Sequence, residues 1–416
     1  MSAEATATVA GPDRFQRNIR LVYLYQCFTN LTLFMPVWIV FLRTERHLTL
    51  TQVTAIMGGA WLITALAEVP TGAIADTLGR RFSLMLGTIL VAGGMVLVAV
   101  VESFWVILPA YFVWSVGMAL QSGSDVALLY ESLQLSGREK DYPAVAGRSF
   151  AVIQLSQAVS SILGGLLAAV ALYLPMLVTS VLTALALIFV ARLREPQQHE
   201  EARPSYLGTL REAATLVRRR ANLRYLILFT STLAVVPWLV VFVTFQPYLS
   251  DRRIAVAWFG LLFLVLRLAS VIGSRFGSRA VEPRLAGRYL LAAPIVFAAA
   301  LVIIAVVRTW WVGFAMMAVI GFLQGTIRPS LSDLLNQRAT RAVRATLLSL
   351  QSLIYTLLIA ASQPVFGVVT DRWSIGSAYL VFAAFCAVAL LLVLLWLRSE
   401  RRDGAATATT ADAVPE

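Results

Sequence analysis

Charged residues are scarce in this sequence, and lysine, histidine and cysteine are almost absent. Only 13% of the 416 residues are charged, whereas a soluble domain carries roughly 25%. Cys27 and Cys386 both fall in apolar runs, so we interpret them as buried small side chains rather than as a disulfide. No pair of His or Cys residues has the spacing of metal ligands, so we predict neither a metal site nor a cofactor.

These absences exclude several kinds of catalyst. The single lysine, Lys140, lies in SGREKDY, and no GxxxxGK[ST] phosphate loop can be built around it. An ATP-driven pump within this chain is therefore excluded. Because the sequence offers no Ser/His/Asp set and no paired acids with an obvious cleft, we predict that the protein is not an enzyme.

Apolar length is what the sequence has in abundance. Hydrophobic residues make up 59% of the chain and occur in long unbroken runs. A run of about 20 such residues crosses a bilayer as a helix, and exposed strands or loops are not tolerated in lipid. We therefore predict an all-α polytopic membrane protein with twelve transmembrane helices. The predicted spans are Ile19–Leu42, Thr51–Ala75, Leu84–Val101, Phe104–Leu133, Ser149–Leu172, Leu174–Leu193, Arg224–Leu249, Val256–Gly273, Tyr289–Val307, Trp310–Leu334, Ala345–Val369 and Ala378–Leu397.

The net charge of +12 is spread unevenly along the chain, and its distribution indicates the membrane topology. With the N-terminus in the cytoplasm, cytoplasmic segments hold 26 of the 34 Lys and Arg residues, counting Arg20, Arg192 and Arg224 at the cytoplasmic ends of spans. External loops hold six and the span interiors hold two. An excess of cations marks the cytoplasmic side. We therefore predict a multi-pass protein of the inner (plasma) membrane with both termini in the cytoplasm. The basic character then attracts anionic lipid heads and does not indicate nucleic acid.

One long polar segment divides the chain into two sets of six spans. We predict a cytoplasmic tail at 1–18, six-helix bundles at 19–193 and 224–397, a cytoplasmic linker at 194–223 and a disordered tail at 398–416. Apolar residues at helical spacing within the linker predict an amphipathic helix on the inner membrane face. These residues are Tyr206, Leu207, Leu210, Ala214 and Val217.

The two halves show weak internal symmetry. Gly123 and Gly325 lie 202 residues apart, and so do Glu131 and Asp333, each of which closes an even-numbered span. Repeats of this kind indicate a transporter built from two rocking bundles.

A cluster of glycines and charges joins spans 2 and 3 in GAIADTLGRR, Gly72 to Arg81. Gly72 and Gly79 lack a Cβ, so backbones can approach closely and the turn can be tight. Asp76 closes one span while Arg80 and Arg81 open the next. An acid and a cation can therefore pair at the membrane edge, and they can part again in a two-state gate.

With this motif the chain resembles the major facilitator superfamily. The signature of that superfamily between spans 2 and 3 is Gly, three residues, Asp, two residues, Gly, Arg, then Lys or Arg, and Gly72–Arg81 has this spacing. EVPTG before it and SGSDVALLYESL at the end of span 4 also resemble bacterial members. The resemblance covers nearly the whole chain and implies two six-helix bundles.

The resemblance implies a role for each matching residue. Asp76 would contact the neighbouring bundle near the start of span 11, and Arg80 would pair with Glu131, the acid that ends span 4. Together they would latch the cytoplasmic side in the outward-open state; alternatively, they only fix topology and packing. Span 4 lacks the arginine, and span 5 the Gly-Pro pair, that are typical of the proton-driven drug exporters of this superfamily.

Ionisable residues inside the spans usually have a function, because placing each charge in lipid costs free energy. Glu68 and Asp125 are candidate proton carriers, since a carboxylate in a partly dry site is easier to protonate than one in water. Glu68 could instead bond a neighbouring helix. Arg267 could hold an anionic substrate group, pair with a carboxylate or stabilise a helix seam. Arg328 could face Asp125 across the cavity, pair within its own bundle or extend to the interface.

Neutral polar and aromatic residues complete the predicted cavity, which is mostly apolar with a few polar groups. The candidate lining residues are Gln26, Asn30, Gln121, Trp238, Gln324, Arg328, Gln351 and Tyr355. Such a cavity suits an amphipathic organic molecule better than a sugar. We therefore predict a proton-coupled secondary transporter that exports a small amphipathic compound, as drug-efflux antiporters do. The alternatives are uptake of a nutrient or metabolite, and a non-transporting sensor. The expected partners are the substrate, protons and lipid, with no nucleic acid, and we expect a monomer.

Overall fold

A computed structural model describes residues 13–196, 215, 217–218, 220–277, 283–338 and 341–411. Side chains are described for 15–196, 215, 217–218, 220–276, 289–327 and 347–400. All regular structure in these ranges is helical, as predicted. The helices are α1 (Asp13–Thr29), α2 (Trp38–Thr44), α3 (Leu50–Leu78), α4 (Arg80–Val100), α5 (Phe104–Gln121), α6 (Ser124–Leu135), α7 (Tyr142–Val170), α8 (Leu174–Val190), α9 (Ala221–Trp238), α10 (Phe245–Asp251), α11 (Phe259–Gly277), α12 (Pro283–Val306), α13 (Trp310–Arg338), α14 (Arg341–Arg372) and α15 (Ile375–Ala411).

The described helices fit a polytopic membrane protein. Ten helical segments within the described ranges are long and apolar enough to cross a membrane. The apolar helix α8 is shorter, with 17 residues, and α1 and α2 together cover the first predicted span. The set is therefore consistent with twelve spans. Residues 239–244, between α9 and α10, form a π-helix within span 7.

Span 1 differs from the prediction of one continuous helix. It is interrupted between Thr29 and Trp38, where Asn30 turns its side-chain amide back onto the Gln26 carbonyl at 2.9 Å. Pro36 follows, and proline in a helix removes an amide donor and clashes with the preceding turn. The Leu33 N–H donates to Thr179 Oγ1 at 3.0 Å and to the Leu31 carbonyl at 3.1 Å. Non-helical backbone at membrane depth is thus satisfied by protein.

Two further elements depart from prediction. Span 4 is not one continuous helix: it divides into α5 and α6 at Gly123, whose φ of +75° lies in the left-handed region that glycine adopts freely. In the predicted disordered tail, the helix α15 continues as far as Ala411. Alanine, the best helix former, is frequent in that stretch. Most of the predicted amphipathic linker helix lies outside the described residues, but Val217 is helical and buried.

The chain forms two compact units, Met1–Phe34 with Ile63–Glu201, and Met35–Leu62 with Ala202–Glu416. In the first unit, α4 packs against α5 and α8. A Cβ on Gly87 would lie 2.8 Å from the Gly117 carbonyl oxygen, and a Cβ on Gly117 would lie equally close to that of Gly87, so small residues let these helices approach closely. The predicted bundle boundary in the linker stays a prediction.

In the second unit, α11 packs against α13, and α12 against α15. The first half of α3 also belongs to this unit. At the N-terminus of α3, the backbone N–H and the hydroxyl of Thr51 donate hydrogen bonds of 2.7 Å to Asp371 of α14. The same carboxylate accepts from the Leu50 N–H at 3.3 Å. Asp371 therefore caps α3 from a helix more than 300 residues away in sequence.

Candidate functional site: a gating turn and an intramembrane polar chain

The turn between α3 and α4 is made by one residue, Gly79. Its φ of +95° and ψ of 155° fall in a region that is essentially restricted to glycine. A Cβ there would also lie 2.7 Å from the carboxyl carbon of Glu195. That carboxylate accepts hydrogen bonds from the Arg80 N–H at 2.6 Å and from the Arg81 N–H at 2.7 Å. Glu195 thus satisfies two free donors of α4 and places a negative charge at its N-terminus.

A guanidinium joins two acids beside this turn. Arg80 Nη2 lies 2.9 Å from Asp76 Oδ1, and Arg80 Nε lies 3.6 Å from Glu131 Oε1. The Arg80 side chain is only 8% exposed, so both contacts are partly shielded from water. The arrangement of Asp76, Arg80 and Glu131, called the charge bridge below, includes the pairing that the resemblance implies. It links the end of α3 to the end of α6.

Polar contacts at the end of α8 hold Glu195 in position. The side chain of Asn18 donates to Ser132 Oγ at 3.0 Å and to the Arg194 carbonyl at 2.9 Å. Its own side-chain oxygen accepts from the Arg194 N–H at 3.0 Å. Arg81 adds a bond from its guanidinium to the Ala191 carbonyl at 2.7 Å. The residue before Glu195 is therefore fixed against α1 and α6, and α4 is tied to the end of α8.

The remaining features of the motif differ between its two glycines. A Cβ on Gly72 would meet no described atom within 4 Å, so the expected close approach of a neighbouring backbone at this position stays a prediction. Gly72 lies inside α3 and is not part of the turn. The predicted contact of Asp76 with the start of span 11 falls on residues 341–346, whose side chains lie outside the described ones.

A polar chain runs between α1, α6 and α7. Gln26 is 1% exposed, and its Nε2 donates to Asp125 Oδ2 at 2.7 Å. Its Oε1 accepts from the Ser149 hydroxyl at 2.7 Å. Asp125 lies in the first turn of α6, directly after the Gly123 break, and is half-buried. The amide of Gln26 thus has an acceptor and a donor partner, and it fixes the orientation of the carboxylate. Ser149, Gln26 and Asp125 are called the polar chain below.

The interruption of span 1 lies next to this chain. Asn30 Oδ1 accepts from Gln157 Nε2 at 3.1 Å while the amide nitrogen of Asn30 bonds the Gln26 carbonyl. Two predicted cavity residues, Gln26 and Asn30, are therefore brought together at the helix break. Both are bonded to the protein itself.

Predicted cavity residues in the second unit lie among aromatic rings. The Trp238 ring stacks on Phe242 at 4.1 Å between centroids and meets Trp61 edge-to-face at 5.1 Å. Its buried indole N–H has no hydrogen-bond partner among the described residues. Gln351 donates to Thr230 Oγ1 at 3.0 Å and thereby joins α14 to α9.

Comparison with known proteins places these features in a family. The sequence profile of the Major Facilitator Superfamily matches residues 26–363, which is most of the chain. The chain belongs to the Major Facilitator Superfamily. This family and fold indicate a multi-pass membrane transporter of small molecules rather than an enzyme. No curated protein matches the chain in sequence.

Solved structures of Major Facilitator transporters share its fold at low identity. The nucleoside transporter NupG is 12% identical with a TM-score of 0.77, over 92% of this chain and 99% of that one. A bacterial homologue of the human lysosomal transporter Spinster is 15% identical with a TM-score of 0.72, over 94% and 98%. A D-xylose–proton symporter is 12% identical with a TM-score of 0.70, over 91% and 97%. At these identities the likeness shows the fold alone.

The other predicted site residues of this Major Facilitator chain are divided between the two units. Glu68 is exposed, and its carboxylate makes no hydrogen bond or ion pair with a described side chain. Gln121 donates to Thr88 Oγ1 at 3.3 Å, at the seam of α5 and α4. Gln324, Tyr355 and Arg267 are half-buried. The side chain of Arg328 lies outside the described ones, so its proposed pairing with Asp125 stays a prediction.

Sequence reasoning missed two acids that the structure uses. Glu195 falls in the predicted linker, and Asp371 lies two residues after predicted span 11. Each lies at a helix end, one or two residues beyond an apolar run. An acid at such a position, opposite a helix N-terminus on the same membrane side, is the signal that could have found them.

Proposed function

We propose that this protein is a proton-coupled secondary transporter of a small amphipathic organic compound, working by alternating access. The observation that carries the proposal is the half-buried Asp125, held by the buried amide of Gln26 beside the broken span 1. Intramembrane acids mark proton and substrate pathways, and interrupted helices mark binding sites.

Asp125 is the better proton site of the two predicted acids. Its described partner is an uncharged amide, and no described cation forms an ion pair with it. A carboxyl group bonded by an amide N–H keeps that bond whether it is protonated or ionised, so the proton can leave without breaking the polar chain. Glu68, by contrast, is exposed and without such a partner among the described side chains.

The charge bridge supports a gate at the predicted cytoplasmic side. Arg80 contacts acids from two helices, and ion pairs at a membrane edge can part and re-form between two states. In this proposal the bridge stabilises the outward-open state, and Glu195 keeps the backbone of Arg80 in the position that the bridge needs.

The engaged polar side chains favour an amphipathic substrate over a sugar. Gln26, Asn30, Gln121 and Gln351 all have partners within the protein, which leaves fewer amides to replace the water around a hydroxyl-rich solute. The rings of Trp61, Trp238 and Phe242 offer apolar surface beside the unpartnered indole N–H of Trp238. Such a surface is typical of sites for amphipathic compounds.

Export is the direction that we propose first, as in drug-efflux antiporters. Uptake is the second candidate, because the fold also matches a nucleoside transporter and a D-xylose–proton symporter. We further propose a monomer in the plasma membrane with both termini in the cytoplasm, which the distribution of cations supports.

The test is flux in proteoliposomes with a panel of amphipathic compounds, nucleosides and sugars, with and without a pH gradient. We expect gradient-driven movement of an amphipathic compound, and its sign gives the direction. Asp125→Asn should abolish accumulation against a gradient while exchange between two pools of substrate survives. Glu102→Gln, an exposed loop acid, is the matched control. Full gradient dependence in Asp125→Asn would show that this carboxylate is not the proton site, and no flux of any compound would favour a sensor.

A further inference from the structure

A basic cavity of about 470 Å³ lies in the first unit, apart from the residues of the charge bridge and the polar chain. Four arginines line it: Arg17 and Arg20 on α1, Arg138 before the 3₁₀ turn Glu139–Asp141, and Arg148 near the start of α7. We call it the arginine pocket. Tyr23 donates a hydrogen bond to the Val145 carbonyl at 3.0 Å and so joins the two long helices that form its walls.

Among the described side chains, one acid compensates the charge of the arginine pocket. Arg138 pairs with Asp141 at 2.7 Å. The exposed guanidinium groups of Arg17, Arg20 and Arg148 make no hydrogen bond or ion pair with a described side chain. Arg17 and Arg20 are three residues apart, which places them on one face of α1. Like charges that share a cavity repel one another, so the pocket is more stable when an anion occupies it.

The arginine pocket lies at the depth of lipid head groups. The first predicted span begins at Ile19 and the fifth at Ser149, so Arg20 and Arg148 lie within a residue of the membrane edge. Tyrosine favours this interface, and Tyr142 at the start of α7 packs edge-to-face on Tyr130 of α6 at 5.2 Å between centroids. The cation distribution assigns this edge to the cytoplasmic leaflet, which carries the anionic lipids.

We propose that the arginine pocket binds a phosphate-bearing anion, namely the phosphodiester head group of an acidic phospholipid. Guanidinium groups match phosphate oxygens with paired N–H donors, and three of them converge here from two helices. The cavity volume lies in the range of small-molecule sites. A bound head group bridges α1, whose polar chain residue is Gln26, to α7, whose polar chain residue is Ser149. This proposal is independent of the transported substrate.

The experiment compares lipid binding of the full chain with that of two triple variants by native mass spectrometry from detergent. The pocket variant is Arg17→Gln with Arg20→Gln and Arg148→Gln. The matched control is Arg192→Gln with Arg275→Gln and Arg398→Gln, three exposed arginines that do not line the pocket. We expect the wild type and the control to retain phosphatidylglycerol in preference to phosphatidylcholine, and the pocket variant to bind it on the order of 10- to 100-fold more weakly.

Two further arms distinguish the outcomes. Inorganic phosphate and glycerol phosphate at millimolar concentration should leave the bound lipid in place; displacement by either would overturn the lipid as the source and assign the pocket to a soluble phosphate compound. Equal retention of phosphatidylglycerol by the pocket variant, or equal loss in the control, would overturn the site itself. If the triple variant fails to fold, Arg148→Gln alone is compared with Arg192→Gln, with a smaller loss of the same sign expected.

Discussion

Removing the carboxylate of Glu195 should loosen the gating turn by a measurable amount. Two charge-assisted hydrogen bonds, at 2.6 and 2.7 Å, end at this side chain. Each such bond contributes about 1.5–3 kcal/mol when well buried. Because Glu195 and Arg81 are only half-buried, water replaces part of the loss, and we expect Glu195→Ala to destabilise the first unit by about 2–3 kcal/mol.

Gly79 provides the matched second substitution. Gly79→Ala places a Cβ 2.7 Å from the Glu195 carboxyl carbon, and the backbone at this position adds about 1–3 kcal/mol of strain for any other residue. In the Glu195→Ala background the overlap is gone and only the strain remains. The cost of Gly79→Ala should therefore be smaller in that background than in the wild type.

The assay is a double-mutant cycle on thermal unfolding in detergent, with accessibility of a cysteine introduced on the predicted cytoplasmic side as a second measure. Glu195→Gln keeps the size of the side chain and should fall between wild type and Glu195→Ala. Strictly additive unfolding midpoints, or a Glu195→Ala variant as stable as wild type, would refute the assignment of Glu195 as the cap of α4.

Three other outcomes follow from the contacts described. Asp76→Asn should leave membrane insertion normal but lower transport by roughly 5–150-fold, the usual scale of a coupling between states. Transport at the wild-type rate would rule out the gate. Glu131→Gln should reproduce that loss, since it removes the other acid of the charge bridge; labelling of a cytoplasmic-side cysteine should rise in both variants, and unchanged labelling would contradict the bridge. Asp371→Ala removes the cap of α3 and should cost about 1–2 kcal/mol in thermal unfolding, whereas Glu102→Ala, an exposed acid, should cost nothing measurable.

Apolar run length predicted the helical class and the positions of the spans because lipid permits few alternatives. The break in span 1 has a signal in the sequence, because Asn30 and Pro36 interrupt an otherwise apolar run. The stabilisation of this break by Thr179 could not be predicted from the sequence, because the hydrogen bond joins residues 146 positions apart. Glu195 was hidden for the same reason, with its partners 114 and 115 positions away. The motif also treats its glycines alike, although Gly79 makes the turn and a Cβ on Gly72 would meet no described atom within 4 Å.

The turn Glu139–Asp141 carries a side chain that can be labelled selectively. It carries Lys140, the single lysine of the sequence, whose exposed side chain lies two residues along the chain from Arg138, a residue that lines the arginine pocket. An amine-selective dye therefore has one side-chain target besides the α-amino group of the chain, and a lipid head group bound nearby would alter its fluorescence. The occupancy of the pocket can thus be followed in the unsubstituted protein, by a reporter that the scarcity of lysine makes specific.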